Sequence, residues 1–100
     1  MIELSDETIK RVRKLFPENE WEAVKELLTE ECSDNLPMVN SDYFELAERI
    51  RFSVLKLSEG NIEKLLNEIQ ELAKDWRDTL MAAGFGDDQK AHLGWQPGVK

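Results

Sequence analysis

The spacing of apolar residues from position 62 to position 83 constrains the fold of this chain more than any other feature of its sequence. Apolar side chains recur there every three or four residues, which is the spacing of one face of an α-helix. They are Ile62, Leu65, Leu66, Ile69, Leu72, Ala73, Trp76, Leu80 and Ala83. One continuous helix over 62–83 is therefore predicted, with this face packed antiparallel against other helices.

Residues suited to helix ends predict two helices before it. Ser5 is placed to cap a helix over 6–15, because its hydroxyl can accept a hydrogen bond from a backbone N–H of the first turn. Pro17 interrupts that helix and is well placed to begin a second one over 18–32. Both segments carry apolar residues at helical spacing.

A third helix is predicted from about residues 40–42 to Ser58, with Gly60 as its left-handed cap and Asn61 as the N-cap of the helix that follows. Its apolar arc is wide, which is typical of a helix contacted on several sides. The segment 33–40 is predicted to be a loop that covers the core with its apolar residues, Leu36, Met38 and Val39.

Gly84 followed by Phe85 predicts a Schellman ending of the last long helix, and a short helical turn is predicted over about 88–93. No alternating strand pattern and no internal repeat is visible. With 100 residues and 11.6 kDa, the chain suits one domain over 1–100. The sequence thus predicts an all-α fold, an antiparallel four-helix bundle with a short C-terminal turn and tail.

Charge is the strongest indication of partner class. The 21 acidic and 13 basic residues give a net charge of −8, which disfavours nucleic acid and anionic membranes as partners. Much of it arises on the second predicted helix, where one face carries Glu22, Glu26 and Glu30. We expect this acidic face to bind a protein partner. The basic residues of the first helix are expected to form a solvated face; they are Lys10, Arg11, Arg13 and Lys14.

Two pairs of polar residues are candidates for chemistry. Asp88 and His92 lie four residues apart, a spacing that offers two ligands to a metal, although a capped turn with an exposed or hydrogen-bonded imidazole has the same spacing. Glu48 and Arg51 fall inside an apolar arc, either as a buried ion pair or with the Arg51 head carried to water. No further ligand or nucleophile can be placed beside them.

Two further residues have a structural and a functional interpretation. Cys32 lies on an apolar face without a neighbouring cation, so it is expected to be buried and inert, and a single cysteine excludes an intrachain disulfide. Trp95 either pins the tail over the bundle or serves as an aromatic anchor for a partner.

The concentrated acidic charge and the lack of a nucleophile constellation favour a non-enzymatic protein without a cofactor that acts through protein–protein interaction. No signal-peptide or membrane-spanning run is visible, so the protein is expected to be cytoplasmic. Two alternatives stay open. One is an immunity or antitoxin-like inhibitor of a basic toxin. The other is a metal-assisted enzyme that uses Asp88 and His92. A homodimer through the face at 62–83 is also compatible with the sequence.

Several motifs of the C-terminal half carry a resemblance: Asp75-Trp76-Arg77-Asp78, Ala82-Ala83-Gly84-Phe85, Asp87-Asp88, His92 and Trp95, together with the segments Arg51-Phe52 and Lys56-Leu57-Ser58. In these motifs the chain resembles small uncharacterised bacterial helical proteins. It implies a bacterial setting, and it assigns no role to any residue.

Overall fold

The computed structural model describes residues 3–33, 36, 44–86 and 91–97, and in these ranges its regular elements are all helices, with no β-strand. Five α-helices lie in the described ranges: α1 (Asp6–Leu15), α2 (Trp21–Glu31), α3 (Phe44–Ser58), α4 (Ile62–Lys74) and α5 (Trp76–Ala83). Two 3₁₀ turns, Glu18–Glu20 and Ala91–Gly94, complete the described elements. The all-α class predicted from the sequence is confirmed.

Several helix ends follow the predicted capping chemistry. The Ser5 hydroxyl accepts a hydrogen bond from the Thr8 amide at 3.2 Å, and the Asn61 side chain accepts one from the Lys64 amide at 3.1 Å. Gly84 has φ +83°, and the Phe85 amide donates to the Leu80 carbonyl at 2.9 Å. This is the Schellman ending that the sequence predicts.

Gly60 is required where α3 turns into α4. Its φ is +81°, and a Cβ atom built there would lie 2.6 Å from the Leu15 carbonyl oxygen. Any other residue would therefore push the end of α1 away from this turn.

The single helix predicted over 62–83 is wrong, because the chain breaks at Asp75. Asp75 is extended, with φ −159° and ψ 103°, and it ends α4. Its carboxylate accepts a hydrogen bond from the Arg77 amide at 3.0 Å and so caps α5. Aspartate is a poor residue for a helix interior and a good N-cap. Two helices therefore stand where one was expected, and a four-helix bundle does not describe the fold.

The centre of the fold is α3, as its wide apolar arc predicts. It packs against α1, α4, α5 and the 3₁₀ turn at Ala91–Gly94. Its interior residues from Ile50 to Leu55 are all buried. Apolar side chains of the other helices complete one core around it, among them Val12, Val24, Leu28, Leu65, Leu72 and Leu80.

Some predictions fall partly outside the described residues. Leu36 is buried in the core as expected. Met38, Val39, the start of the third helix at 40–42 and Asp88 lie outside those residues. Among the helices that are described, none is long and apolar enough to cross a bilayer.

Candidate functional site

Arg11 lies inside the protein, with 1% of its surface exposed, so its predicted place on a solvated basic face is wrong. The buried side of α1 runs through Thr8, Arg11 and Val12. The guanidinium lies over the Phe52 ring, 4.2 Å from its centroid, where a cation is attracted to the aromatic face. The apolar pattern of α1 alone gave no reason to place a cation there.

The buried Arg11 ties the C-terminal segment to α1. Its Nε and Nη2 atoms both donate to the Trp95 carbonyl, at 3.1 and 2.9 Å. Nη1 donates to the Glu7 carbonyl at 2.9 Å and to the Glu7 carboxylate at 3.0 Å. The pKa of Glu7 is lowered, first by its hydrogen bond from Arg11 and then by Lys10. One side chain thus joins two ends of the chain far apart in sequence.

Arg51 is a second buried arginine, also 1% exposed, so the expectation that its head reaches water is wrong. Its Nε atom donates to the carbonyls of Leu28 at 3.2 Å and Cys32 at 3.1 Å. Nη1 donates to the Glu3 carbonyl at 2.8 Å. These bonds satisfy backbone carbonyls at the C-terminal end of α2 and link that end to the N-terminal segment.

Cys32 is fully buried, as the sequence predicts. Burial raises the pKa of its thiol to about 12, while the nearby Arg51 charge acts in the opposite direction. A thiol with so high a pKa holds almost no thiolate at neutral pH, which makes it a poor nucleophile and a poor metal ligand.

His92 is also buried, with 3% of its surface exposed. Its ring lies 5.0 Å from the Phe52 ring and 6.3 Å from the Phe85 ring, and neither ring nitrogen has a hydrogen-bond partner among the described residues. The expected exposed or hydrogen-bonded imidazole is therefore wrong. Burial lowers the pKa of His92, and the Glu48 carboxylate, 3.9 Å from Nε2, opposes this effect.

Glu48 lies between His92 and the Ser5 hydroxyl that caps α1. The Ser5 hydroxyl donates to Glu48 Oε1 at 3.1 Å and lies 2.9 Å from the Thr8 hydroxyl. In a catalytic triad the imidazole stands between the hydroxyl and the carboxylate, so that it can take the hydroxyl proton. Here the carboxylate occupies the middle position. This order suits an N-cap anchored to α3 and does not suit an activated serine.

The proposed metal pair is described only in part, because Asp88 lies outside the described residues. Within the ranges that are described, no group of three His, Cys, Asp or Glu side chains is arranged to hold a metal ion. The buried ring of His92 faces Glu48, Phe52 and Phe85.

The acidic face of α2, defined by Glu22, Glu26 and Glu30, is exposed to solvent along its whole length. The opposite side of α2 buries Val24 and Leu28. Glu22 lies 2.9 Å from Lys25 in an ion pair, with 89% of its side chain exposed. No such pair joins Glu26 or Glu30 to any cation in the described part of the chain. The face is therefore strongly anionic.

Trp95 is half-buried and packs on the core. Its ring centroid lies 6.2 Å from that of Phe52 and 6.4 Å from that of Phe85. Together with the bonds from Arg11 to its carbonyl, this favours the interpretation in which Trp95 pins the tail.

Comparison with protein-family models, with curated proteins and with solved structures finds no match to this chain.

Proposed function

We propose that the protein is a non-enzymatic, cytoplasmic binding protein whose acidic face on α2 contacts a basic partner protein. The observation that carries the proposal is the exposure of Glu22, Glu26 and Glu30 in one row, with no cation paired to the last two among the described residues. Aligned, unpaired carboxylates attract a cationic surface and orient it before contact.

The interior of the protein supports a binding role more than a catalytic one. The two buried arginines are bonded to backbone carbonyls, Cys32 holds a protonated thiol, and the Ser5 hydroxyl caps a helix. Each of these four side chains thus has a structural role.

A narrower form of the proposal is an immunity or antitoxin-like inhibitor of a basic toxin. The same exposed row of carboxylates favours it, because a net charge of −8 speeds encounter with a strongly basic protein. Co-expression with the products of neighbouring genes tests it. Rescue of growth from a toxic basic neighbour would support the inhibitor, and no rescue by any neighbour pairing would contradict it.

The general proposal is tested with immobilised protein and a lysate of the source cells. We compare the wild type with a face variant, Glu22→Lys/Glu26→Lys/Glu30→Lys, and with a control variant, Glu18→Lys/Glu63→Lys/Asp78→Lys. The control makes the same change in net charge at exposed acidic positions elsewhere. Circular dichroism verifies that both variants remain helical.

We expect the wild type and the control variant to retain the same basic protein, and the face variant to lose it. Retention of the same proteins by all three baits would contradict a role for the acidic face. A wild-type bait that retains nothing above the bare matrix would contradict the binding function itself.

A further inference from the structure

The last described segment of the chain, residues 91–97, packs against α3 and is hydrogen-bonded to α1. We refer to it as the C-terminal strap. Its described bonds to α1 are the two from Arg11 to the Trp95 carbonyl and one from Lys14 Nζ to the Gln96 side chain at 3.2 Å. A segment that is held at its surface in this way can open while the helices beneath it stay folded.

His92 is the one titratable side chain of the C-terminal strap, and it is buried. Its ring meets the rings of Phe52 and Phe85 edge-on, and neither ring nitrogen has a hydrogen-bond partner among the described residues. The Lys56 ammonium lies over the Phe85 ring, 4.9 Å from its centroid, and is a further cation in these surroundings. A neutral imidazole suits such a place, whereas an imidazolium loses its hydration there.

Charged groups of both signs face His92 from the described helices. Glu48 of α3, 3.9 Å from Nε2, favours the charged imidazole, as does Glu45. Arg49 of α3 and Arg11 of α1 disfavour it. Burial is the largest effect, and it lowers the pKa of His92 despite the two carboxylates.

The Phe52 ring connects His92 to the bonds that hold the C-terminal strap. The Arg11 guanidinium lies over this ring, 4.2 Å from its centroid, and the same guanidinium donates twice to the Trp95 carbonyl. The imidazole lies 5.0 Å from the centroid of the same ring. A charged His92 would thus be a second cation beside Phe52, next to the group that fastens the strap.

We propose that the C-terminal strap is released by acid: a proton taken up by His92 detaches residues 91–97 from α1 and α3, while the described helices stay folded. The detached imidazolium regains its hydration, so proton uptake favours release. Release begins as the pH falls below 6.5, the ordinary pKa of His92. It uncovers the rings of Phe52 and Phe85, and it does not depend on the acidic face of α2.

The test follows the NMR signal of the Trp95 indole while the pH is lowered from about 7.5 to about 5, with far-UV circular dichroism as the measure of helix content. The Trp21 indole is the internal reference, because it donates to the Phe16 carbonyl at 2.8 Å, away from the strap. A chelator in every sample keeps metal ions from His92. His92→Leu is measured beside the wild type, since leucine is apolar and takes up no proton.

A second pair of variants separates charge from the loss of the imidazole. His92→Lys introduces a cation and His92→Gln an uncharged polar group, and both are compared with the wild type at about pH 7.5. Only the lysine variant should show the Trp95 indole at the position that it has in the urea-unfolded chain.

In the wild type, we expect the Trp95 signal to move toward the position of the unfolded chain with the midpoint of the His92 ring proton. The ellipticity and the Trp21 signal should stay unchanged over this range. In His92→Leu the Trp95 signal should stay at its docked position.

Three results would overturn the proposal. A Trp95 signal that stays docked to about pH 5 would show that the site beside Glu48 tolerates the proton or never receives it. A Trp95 change that coincides with loss of ellipticity would show unfolding of the whole protein. Equal release in the wild type and His92→Leu would assign the response to other groups. If His92→Lys does not fold, the comparison of the wild type with His92→Leu still decides.

Discussion

The Nε2 atom of His92 lies 3.9 Å from Oε2 of Glu48, in a buried space beside the rings of Phe52 and Phe85. The imidazole is neutral there, because burial destabilises its charged form by more than the Glu48 carboxylate stabilises it. The Arg49 and Arg11 charges add to that cost, and Glu45 opposes it. The pKa of His92 in the folded protein is therefore below its ordinary value of 6.5.

This pair predicts that stability decreases as the pH falls below 6.5. In that window the unfolded chain takes up a proton on His92 before the folded protein does, so protonation favours unfolding. The contribution is fully present above pH 6.5 and is lost as the pH falls toward the folded pKa. Urea unfolding across this window should show the decrease in the wild type, and His92→Leu should flatten it.

The Glu48→Gln variant provides the control, because it retains a hydrogen-bond acceptor for Ser5 and removes the charge beside His92. The pKa of His92 should fall further in this variant, as followed by NMR of the ring proton. Equal pH dependence in the wild type and His92→Leu, or a higher His92 pKa in Glu48→Gln, would contradict the described burial.

Arg11→Met is expected to destabilise the protein by about 2–4 kcal/mol, because it leaves the Trp95 carbonyl without its described donor, removes the hydrogen bond to the Glu7 carboxylate and removes the cation over Phe52. Lys10→Met removes an exposed cation one residue away and should cost no more than about 0.5 kcal/mol. Urea unfolding measures both values. Equal losses would refute the burial of Arg11.

Arg51→Lys is expected to expose Cys32. Lysine keeps the charge but lacks the fork that reaches the carbonyls of Leu28, Cys32 and Glu3 at once. The thiol has a pKa of about 12 when buried, so a thiol reagent reacts with it only after local opening. The labelling rate should therefore rise, by about tenfold for each 1.4 kcal/mol of local stability lost.

Lys74→Met is the matched control for this labelling experiment, since Lys74 is exposed on α4 and pairs only with Glu71 among the described residues. Its Cys32 should react at the wild-type rate. A labelling rate for Arg51→Lys equal to that of the control would show that Arg51 does not hold the end of α2.

Asp75→Ala is expected to cost about 1 kcal/mol, because the Arg77 amide loses the acceptor that caps α5. Asp75→Asn retains a side-chain acceptor for the Arg77 amide, so its free energy of unfolding should stay within about a few tenths of a kcal/mol of that of the wild type. Urea unfolding distinguishes the two. If alanine proved as stable as asparagine, the break at Asp75 would have another cause.

The sequence predicted the helix ends that local chemistry decides. The caps at Ser5 and Asn61 are side-chain hydrogen bonds within one turn, and the cap at Gly84 needs only a positive φ that glycine adopts readily. None of these caps depends on the rest of the fold. The central position of α3 was also predictable, because a helix that is apolar on several sides needs neighbours on those sides.

The interior polar groups could not be placed in the same way. Arg11 and Arg51 are buried because carbonyls of Trp95, Leu28, Cys32 and Glu3, distant in sequence, converge on them. The neutral state of His92 likewise depends on Phe52, Phe85 and Glu48. At Asp75 the apolar pattern of α4 continues in register into α5, so the pattern alone predicts one helix. The polar side chain of Asp75, a good N-cap, was the only feature of the sequence that indicated the break.

The central claim is that the acidic face of α2 binds a basic partner, and its most direct test is a calorimetric measurement of Kd for the captured partner. The account predicts that Glu22→Lys/Glu26→Lys/Glu30→Lys raises Kd at least tenfold, about 1.4 kcal/mol. The control Glu18→Lys/Glu63→Lys/Asp78→Lys should bind nearly as the wild type does. A Kd for the face variant equal to that of the wild type would contradict the claim.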